Sequence, residues 1–156
     1  MKRIDLLREA KRFRNAIEMA RDADDLTPMN MGSERMNRFP DDCCDDTADL
    51  FTHYLYHKFG IESIRVDGHY YNYRLRCSRG HSWQKTEGWL IDLTGDQFDN
   101  DPVIPIKAPS IYVGKMGGFH RQFEIKRQER SCGIDCLGDD CKDRMYWLYS
   151  IIMKHI

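Results

Sequence analysis

The sequence predicts an α+β fold with a single domain over residues 1–156. Apolar residues recur at three- and four-residue spacing in the terminal segments 3–21 and 139–156 and in the central segment 43–59, which is typical of amphipathic helices. Between residues 61 and 93, short runs rich in β-branched and aromatic residues alternate with glycines, which is typical of antiparallel strands. A chain of 156 residues is long enough to bury roughly two-thirds of its unfolded surface around one core.

Composition limits the classes of function. The formal net charge of −1 argues against a nucleic-acid-binding protein that works by bulk electrostatics. No apolar run approaches the roughly 20 residues that span a membrane, and the charged N-terminus lacks a signal-peptide core. A cytoplasmic protein is therefore expected. No cofactor is expected either. In that reducing compartment, the six cysteines are expected to be thiols, ligands or a nucleophile rather than disulfides.

The N-terminal helix is predicted over residues 3–21, where apolar side chains alternate with Arg and Glu. Residues 28–42 are rich in Met, Asn and Gly and predict a loop. Pro40 disfavours a helical conformation of Phe39, so the chain should enter the next element extended. Asp41 or Asp42 is then the predicted N-cap of the central helix.

The central helix carries two apolar stripes, which indicates a buried position. One stripe and its neighbour are formed by Cys43, Thr47, Leu50 and Tyr54, and by Cys44, Ala48, Phe51 and Leu55. A helix that is apolar on two adjacent stripes packs against other elements on both. Gly60 is the predicted left-handed cap that ends it.

Strands are predicted after this helix. The expected segments are 61–66, a turn or bulge at Gly68, 69–77, and a hairpin of 80–86 and 88–93 joined at Thr86-Glu87-Gly88. Residues 95–110 contain three prolines and predict a loop, and 111–113 and 119–125 are the predicted edge strands. The C-terminal helix is predicted over 139–156.

The order of three residues suggests nucleophilic catalysis. Cys44 lies in the first turn of the central helix, and His81 and Asp92 lie on the two strands of the hairpin. The helix N-terminus stabilises a thiolate, a His can take the thiol proton, and an Asp can hold the imidazole in one tautomer. Each residue also has a structural interpretation: a small apolar side chain, a packed histidine and a turn former.

The acidic flanks of the thiol oppose this hypothesis. Asp42, Asp45 and Asp46 surround Cys44, and nearby carboxylates disfavour a thiolate. The triad therefore requires that these carboxylates point away from the thiol or are neutralised.

The motifs together resemble the transglutaminase-like superfamily of papain-fold cysteine enzymes, and in particular its small, single-domain members of bacterial type. In that family a helix-opening Cys is followed by a small residue, Gly-Ile, Val-x-Gly, His-Ala-Trp, Trp and Asp-x-Thr. The resemblance covers about residues 39–98 and rests on Cys44, Ala48, Gly60-Ile61, Val66-Asp67-Gly68, His81-Ser82-Trp83, Trp89 and Asp92-Leu93-Thr94. It implies that the central helix packs on an antiparallel sheet that carries the His and the Asp.

The register of the resemblance favours Cys44 over Cys43 as the nucleophile, because Ala48 then occupies the position of the small residue. The sequence departs from papain relatives in lacking their oxyanion Gln. Asn37 and Gln97 are the substitutes that it offers, and Gln97 is also compatible with packing in a turn. Trp83 is expected either in the wall of the cleft or in the core, with the core favoured.

The resemblance implies acyl chemistry at an amide, through a thioester on Cys44. Proteolysis, isopeptide cleavage, glutamine deamidation and acyl transfer all share that intermediate. The expected substrate is a polypeptide with a peptide, isopeptide or Gln amide, and the short chain favours a hydrolase. The alternative is a non-catalytic papain-like module that binds a protein, which the acidic flanks and the missing Gln would suit.

Metal binding is the second alternative. Cys132, Cys136 and Cys141, with His120 upstream, have a spacing that resembles a zinc knuckle, although the gap of four residues is loose. A second set of ligands would join Cys77 and His81 to the cysteines of the central helix. Either zinc site would make the protein a metal-stabilised binding domain, whereas free thiols or a disulfide would leave the triad hypothesis intact.

Overall fold

A computed structural model describes residues 1–27 and 34–156, and in this part the chain is an α+β protein with four helices and one five-stranded antiparallel sheet. The helices are α1 (Arg3–Asp22), α2 (Cys44–Phe59), α3 (Gly118–Arg121) and α4 (Asp139–Met153). The strands are β1 (Ser63–Asn72), β2 (Cys77–Thr86), β3 (Trp89–Asp92), β4 (Tyr112–Gly114) and β5 (Glu124–Ser131). Short 3-10 turns lie at Arg35–Arg38, Gly95–Phe98 and Gly133–Cys136.

The sheet has the order β4-β3-β2-β1-β5. The predicted strands 61–66 and 69–77 are in fact one strand, β1, because its pairing with β2 continues through Gly68 and ends at Asn72. The irregularity at Gly68 is instead a register shift in the pairing with β5. A side chain at Gly68 would lie 2.8 Å from Cβ of Phe123 and 2.9 Å from the Trp83 ring, so only glycine lets these elements approach.

The C-terminal half of the sheet corrects a further prediction. Residues 119–125 do not form a strand, because α3 occupies Gly118–Arg121 and turns Phe119 and His120 into the interior. The edge strand β5 starts only at Glu124 and is exposed along most of its length. The predicted hairpin of β2 and β3 is present, with the expected turn between Thr86 and Trp89.

The predicted cap of α2 is wrong at its N-terminus and right at its C-terminus. The helix begins at Cys44 rather than Cys43, and Cys43 is the N-cap without any side-chain hydrogen bond to the first turn. Asp42 does not cap because it has a positive φ of 55° and its carboxylate lies 3.9 Å from Arg38. Gly60, with φ of 67°, is the left-handed cap, as predicted.

Two apolar clusters lie on opposite faces of the sheet. On β3, Leu90 belongs to one cluster and Ile91 to the other, and neighbouring residues of a strand point to opposite faces. The larger cluster joins α1, α2 and α4 to the sheet, with Phe13, Phe51 and Tyr54 at its centre. The smaller cluster packs Trp83 of β2 under the segment that follows β3.

The predicted loop 28–42 can be followed only in part. Its residues 28–33 lie outside the described residues, and the remainder contains the 3-10 turn Arg35–Arg38. Among the described residues, none of the helices combines the length and the hydropathy needed to span a bilayer.

Candidate active site

An opening in the sheet lies beside the N-terminus of α2. Strand β2 pairs with β3 only over Gln84–Thr86, so the two strands separate next to Ser82 and Asp92. A small cavity of about 10 Å³ in this opening is lined by Cys44, Ser82, Trp83 and Asp92, among others. The first turn of α2 thus reaches the end of the hairpin that carries the predicted His and Asp.

The two adjacent cysteines have different environments. Cys43 has no exposed surface and packs in the larger apolar cluster, and burial raises the pKa of its thiol well above the ordinary range. Cys44 is partly exposed and lines a groove together with His81 and Gln97. Only Cys44 is therefore accessible to a substrate.

His81 and Asp92 form a buried hydrogen-bonded pair. Nε2 of His81 lies 2.7 Å from Oδ2 of Asp92, and each residue is 2% exposed. Burial alone would lower the pKa of His81, but the charge and hydrogen bond of Asp92, together with the neighbouring Cys44, raise it to about 10. The imidazolium is consequently the form that this site stabilises.

Asp92 accepts hydrogen bonds on both of its oxygens. Oδ2 also lies 2.9 Å from Nε2 of His120, and Oδ1 accepts from the backbone N–H of Thr94 at 2.9 Å. Burial acts to raise the pKa of Asp92, yet His81 and His120 together hold it far below the usual range. Asp92 is thus an ionised carboxylate that accepts a hydrogen bond from each histidine.

His120 is the site residue that sequence reasoning assigned to a different role. It comes from the buried face of α3, and its Nδ1 is buried without a hydrogen-bond partner. The bond to Asp92 requires the tautomer with a proton on Nε2. No spacing in the sequence links position 120 to the triad, because α3 reaches Asp92 from a distant part of the chain.

Aromatic rings surround the imidazole of His81. The ring centroids of Phe98, Phe119 and Phe123 lie 5.3, 5.4 and 5.6 Å from that of His81. Trp83 is 1% exposed and belongs to this cluster, so it is mainly a core residue, although part of it lines the small cavity. These rings keep water from the His81–Asp92 pair and strengthen its electrostatic interaction.

Of the two substitutes for the oxyanion Gln, the structure brings only Gln97 into the groove. Its Nε2 lies 3.1 Å from Nδ1 of His81 and donates to the carbonyl of Thr94 at 3.1 Å. Asn37 lies in the 3-10 turn before α2, and its Oδ1 is buried without a partner. Asn37 is not among the described residues that line the groove.

A buried arginine of α1 holds the segment between Asp92 and Gln97. Arg14 donates to the carbonyl of Leu93 at 2.6 Å and to both oxygens of Asp96 at 2.9 and 2.8 Å. It also donates to the carbonyl of Ser110 at 2.8 Å. Burial opposes the charge on Arg14, but Asp96 and Glu18 keep its pKa raised, so the guanidinium fixes the chain that follows β3.

Arginines neutralise the acidic flank of the thiol. Asp46 is buried and pairs with Arg144 of α4 at 2.6 Å and with Arg35 at 3.1 Å. Arg144 also binds Glu34 at 2.5 Å, so one cation serves two buried carboxylates. Asp45 lies 3.6 Å from Arg35. The carboxylates that the sequence places around Cys44 are therefore paired rather than free.

The groove beside Cys44 has a volume of about 340 Å³ and is lined by side chains of both charges, including Arg35, Asp45, Arg65 and Asp67. A second cavity of about 340 Å³, lined by Asp41, Arg79, Asn100 and Asp101 among others, shares Asp42 and Gln97 with it. The two cavities form one extended polar depression that passes the thiol.

The structure contradicts the predicted zinc sites. Cys132 and Cys136 are joined as a disulfide, which also corrects the expectation that the six cysteines are thiols, ligands or a nucleophile rather than disulfides. Cys141 is a free and exposed thiol, and His120 is bonded to Asp92. Cys77 is likewise exposed. Within the described ranges, none of the cysteines belongs to a cluster of ligands close enough for a metal ion.

Comparisons of the chain with family models, curated proteins and solved structures found no match.

Proposed function

We propose that the protein is a cysteine-dependent amide hydrolase or acyltransferase of the transglutaminase-like, papain-like type. Its nucleophile is Cys44, its general base and acid is His81, and its orienting carboxylate is Asp92. The observation that carries the proposal is the buried bond between Asp92 and Nε2 of His81, which leaves Nδ1 of the same ring on the side of the groove that Cys44 lines.

The first chemical step uses the proton-accepting side of His81. Nδ1 takes the thiol proton of Cys44, and the sulfur adds to the carbonyl carbon of the amide. The imidazolium that forms carries its second proton on Nε2, where ionised Asp92 accepts it. Asp92 thus stabilises the charge that this step creates without taking the proton itself.

Backbone amides are available for the oxyanion. The first turn of α2 has no side-chain cap, so its N–H groups are not occupied by Cys43 or by a neighbouring carboxylate. The positive end of the helix dipole adds to their effect at the tetrahedral intermediate. The side-chain amide of Gln97 lies on the same groove and is the second donor that we assign to this role.

The second step releases the amine, and a third step transfers the acyl group. His81 returns its proton to the leaving amine, and a thioester remains on Cys44. Water then yields hydrolysis or deamidation, and a primary amine yields acyl transfer; in each case His81 removes a proton from the attacking group. The long polar depression, with its Arg and Asp side chains, supports a polypeptide rather than a small apolar molecule as substrate.

The second candidate is a non-catalytic module that binds a polypeptide in the same groove. It is favoured by one contact: Nε2 of Gln97 lies 3.1 Å from Nδ1 of His81, so in the neutral form of the ring it can donate there and occupy the position at which the thiol proton must arrive. Under the catalytic proposal, Gln97 gives up this contact when substrate binds. Gln97→Ala should then speed alkylation of Cys44 about 2- to 5-fold while slowing amide turnover, since one oxyanion donor is lost. In a binding module, neither the wild-type protein nor the variant would show amide turnover, although the thiol of Cys44 could still be alkylated.

An activity screen tests the proposal directly. The wild-type protein is incubated with a panel of peptide, isopeptide and Gln-containing polypeptides, with and without a primary amine, and the products are identified by mass spectrometry. We expect turnover of at least one class of amide, and its loss in Cys44→Ala. Cys77→Ala is the matched control, because it removes an exposed thiol away from the groove. Turnover that survives in Cys44→Ala, or turnover of no substrate class, would contradict the proposal.

A further inference from the structure

A second cluster of histidines and a carboxylate lies on the C-terminal half of α2. His53 and His57 are one helical turn apart, and their ring centroids are separated by 4.1 Å. Asp135, from the 3-10 turn Gly133–Cys136, lies against both rings. Nε2 of His57 is 2.9 Å from Oδ2 of Asp135, and Nδ1 of His53 is 3.9 Å from Oδ1.

The buried nitrogen of His53 has no protein partner. His53 is 4% exposed, and its Nδ1 makes no hydrogen bond, although it faces Asp135. A buried polar atom without a partner costs about 1–3 kcal/mol, so its retention in a packed position requires an explanation. A ring nitrogen that lies 3.9 Å from a carboxylate oxygen without a hydrogen bond is explained if a cation lies between the two atoms.

We propose that His53, His57 and Asp135 bind a divalent transition-metal ion. One ligand atom from each residue lies within 4.8 Å of the other two. Zinc bonds of about 2.0–2.2 Å in a tetrahedral site place the ligand atoms roughly 3.3–3.5 Å apart, a separation that lies between the 2.9 and 3.9 Å distances from Asp135 to His57 and His53. Two imidazoles and one carboxylate suit zinc and its neighbours, whereas calcium and magnesium prefer oxygen ligands only.

The chain fixes both halves of this cluster. Gly133 has a φ of 85°, and a Cβ at this position would lie 2.4 Å from the backbone of His53. Only glycine therefore allows the 3-10 turn to rest directly on α2. The disulfide between Cys132 and Cys136 closes the loop that contains Asp135 and limits its movement.

The surroundings support ligation. Tyr146 of α4 hydrogen-bonds Oδ1 of Asp135 and so orients the carboxylate with Oδ2 toward His57. His57 is half exposed, which provides a path for the ion and leaves a position for water.

Direct titration tests this proposal. The accessible thiols are first blocked with iodoacetamide, so that no thiolate competes, and the metal is stripped with a chelator. Zinc is then added and followed by calorimetry, with magnesium as a negative control. We expect one saturable zinc site. His57→Ala and Asp135→Asn should weaken zinc binding by at least about 10- to 100-fold, which is the loss that follows mutation of a residue that only hydrogen-bonds a metal ligand.

A matched variant separates the cluster from an ordinary histidine–carboxylate pair. His155 binds Asp25 at 2.9 Å, as His57 binds Asp135, but among the described residues this pair does not belong to a cluster of three possible metal ligands. His155→Ala should leave zinc affinity unchanged. Cobalt bound to the wild-type protein should show visible bands without a sulfur charge-transfer band. Absence of a saturable site, or equal zinc affinity in His57→Ala and wild type, would overturn the proposal. The result is independent of catalysis at Cys44.

Discussion

Two histidine–carboxylate clusters lie beside helix α2, and they differ in burial. Near its N-terminus, Asp92 accepts from His81 and His120, and all three side chains are at most 1% exposed. Near its C-terminus, Asp135 meets His53 and His57, and two of the three side chains are partly open to solvent. The same residue types therefore occur in two different physical settings.

The difference indicates what each cluster can do. In the buried cluster, both Nε2 atoms point at one oxygen of Asp92, which fixes where the protons lie. Fixed protons and a dry environment suit general acid–base chemistry, with Nδ1 of His81 as the working atom. Each cluster has one buried Nδ1 without a hydrogen-bond partner, on His120 and on His53, but only in the open cluster does it face the carboxylate beside a route from solvent, which suits metal binding.

Exchanging each carboxylate for its amide should give the largest contrast. In Asp92→Asn the imidazolium of His81 loses its partner and no longer favours the thiolate of Cys44, so alkylation of Cys44 by iodoacetamide at neutral pH should slow by about 10- to 30-fold. Asp135→Asn, in the other cluster, should leave that rate unchanged. The rates are measured by quenched labelling and mass spectrometry. Similar rates in both variants would remove the distinction between the clusters.

Removing the cation beside the thiol should be the largest effect on stability. Arg144→Ala leaves Asp46 and Glu34 buried with most of their pairing lost, which should cost about 3–5 kcal/mol of unfolding free energy. Arg35→Ala, at a more exposed arginine of the same network, should cost less than about 1 kcal/mol. Urea denaturation measures both. Equal costs would show that the acidic flank of Cys44 does not depend on Arg144.

The outer histidine of each cluster offers a smaller contrast. His120→Ala empties a buried position and removes one donor from Asp92, so it should cost about 2–4 kcal/mol. His57→Ala, at a half-exposed side chain, should cost less than about 1 kcal/mol in chelator-treated protein. Thermal unfolding of both variants checks this order, and a reversed order would contradict the assigned burial of the two sites.

The pH dependence of stability should differ between wild type and Asp92→Asn. The pKa of His81 is raised from its ordinary value near 6.5 to about 10. The stabilisation from its charged form is therefore complete below about pH 6.5 and is lost as the pH rises toward 10. The difference in Tm between the two proteins should narrow over this range by about 2–4 °C for each kcal/mol of stabilisation that is lost. A difference in Tm that stays constant across this pH range would mean that Asp92 does not stabilise the charged form of His81.

Much of the central architecture follows from local pattern. The helix with Gly60 as its cap, and the hairpin that brings His81 and Asp92 onto adjacent strands, are predicted from periodicity and turn residues. The cap at Cys43 is not, because the positive φ of Asp42 depends on contacts outside the helix. The sequence predicts a break at Gly68, but strand β1 continues through this residue because it pairs with β2 on one side and with β5 on the other.

The parts of the sites that sequence did not reveal all depend on tertiary contacts between distant segments. Arg14 has the appearance of a surface residue on an amphipathic helix, but it binds the segment after Asp92. His120 reaches Asp92 from α3, and Asp135 reaches His57 from a 3-10 turn. No short-range spacing encodes any of these contacts, because each joins residues that only the fold brings together.

The pH dependence of cysteine alkylation tests the central claim most directly. Wild-type protein is labelled with iodoacetamide from pH 5 to 9, and each thiol is quantified by peptide mapping. The exposed thiols of Cys77 and Cys141 serve as internal references. We expect Cys44 to be labelled well before both references at pH 6–7, and Cys43 not to be labelled in the folded protein. Labelling of Cys44 no faster than Cys77 and Cys141 at every pH would contradict it.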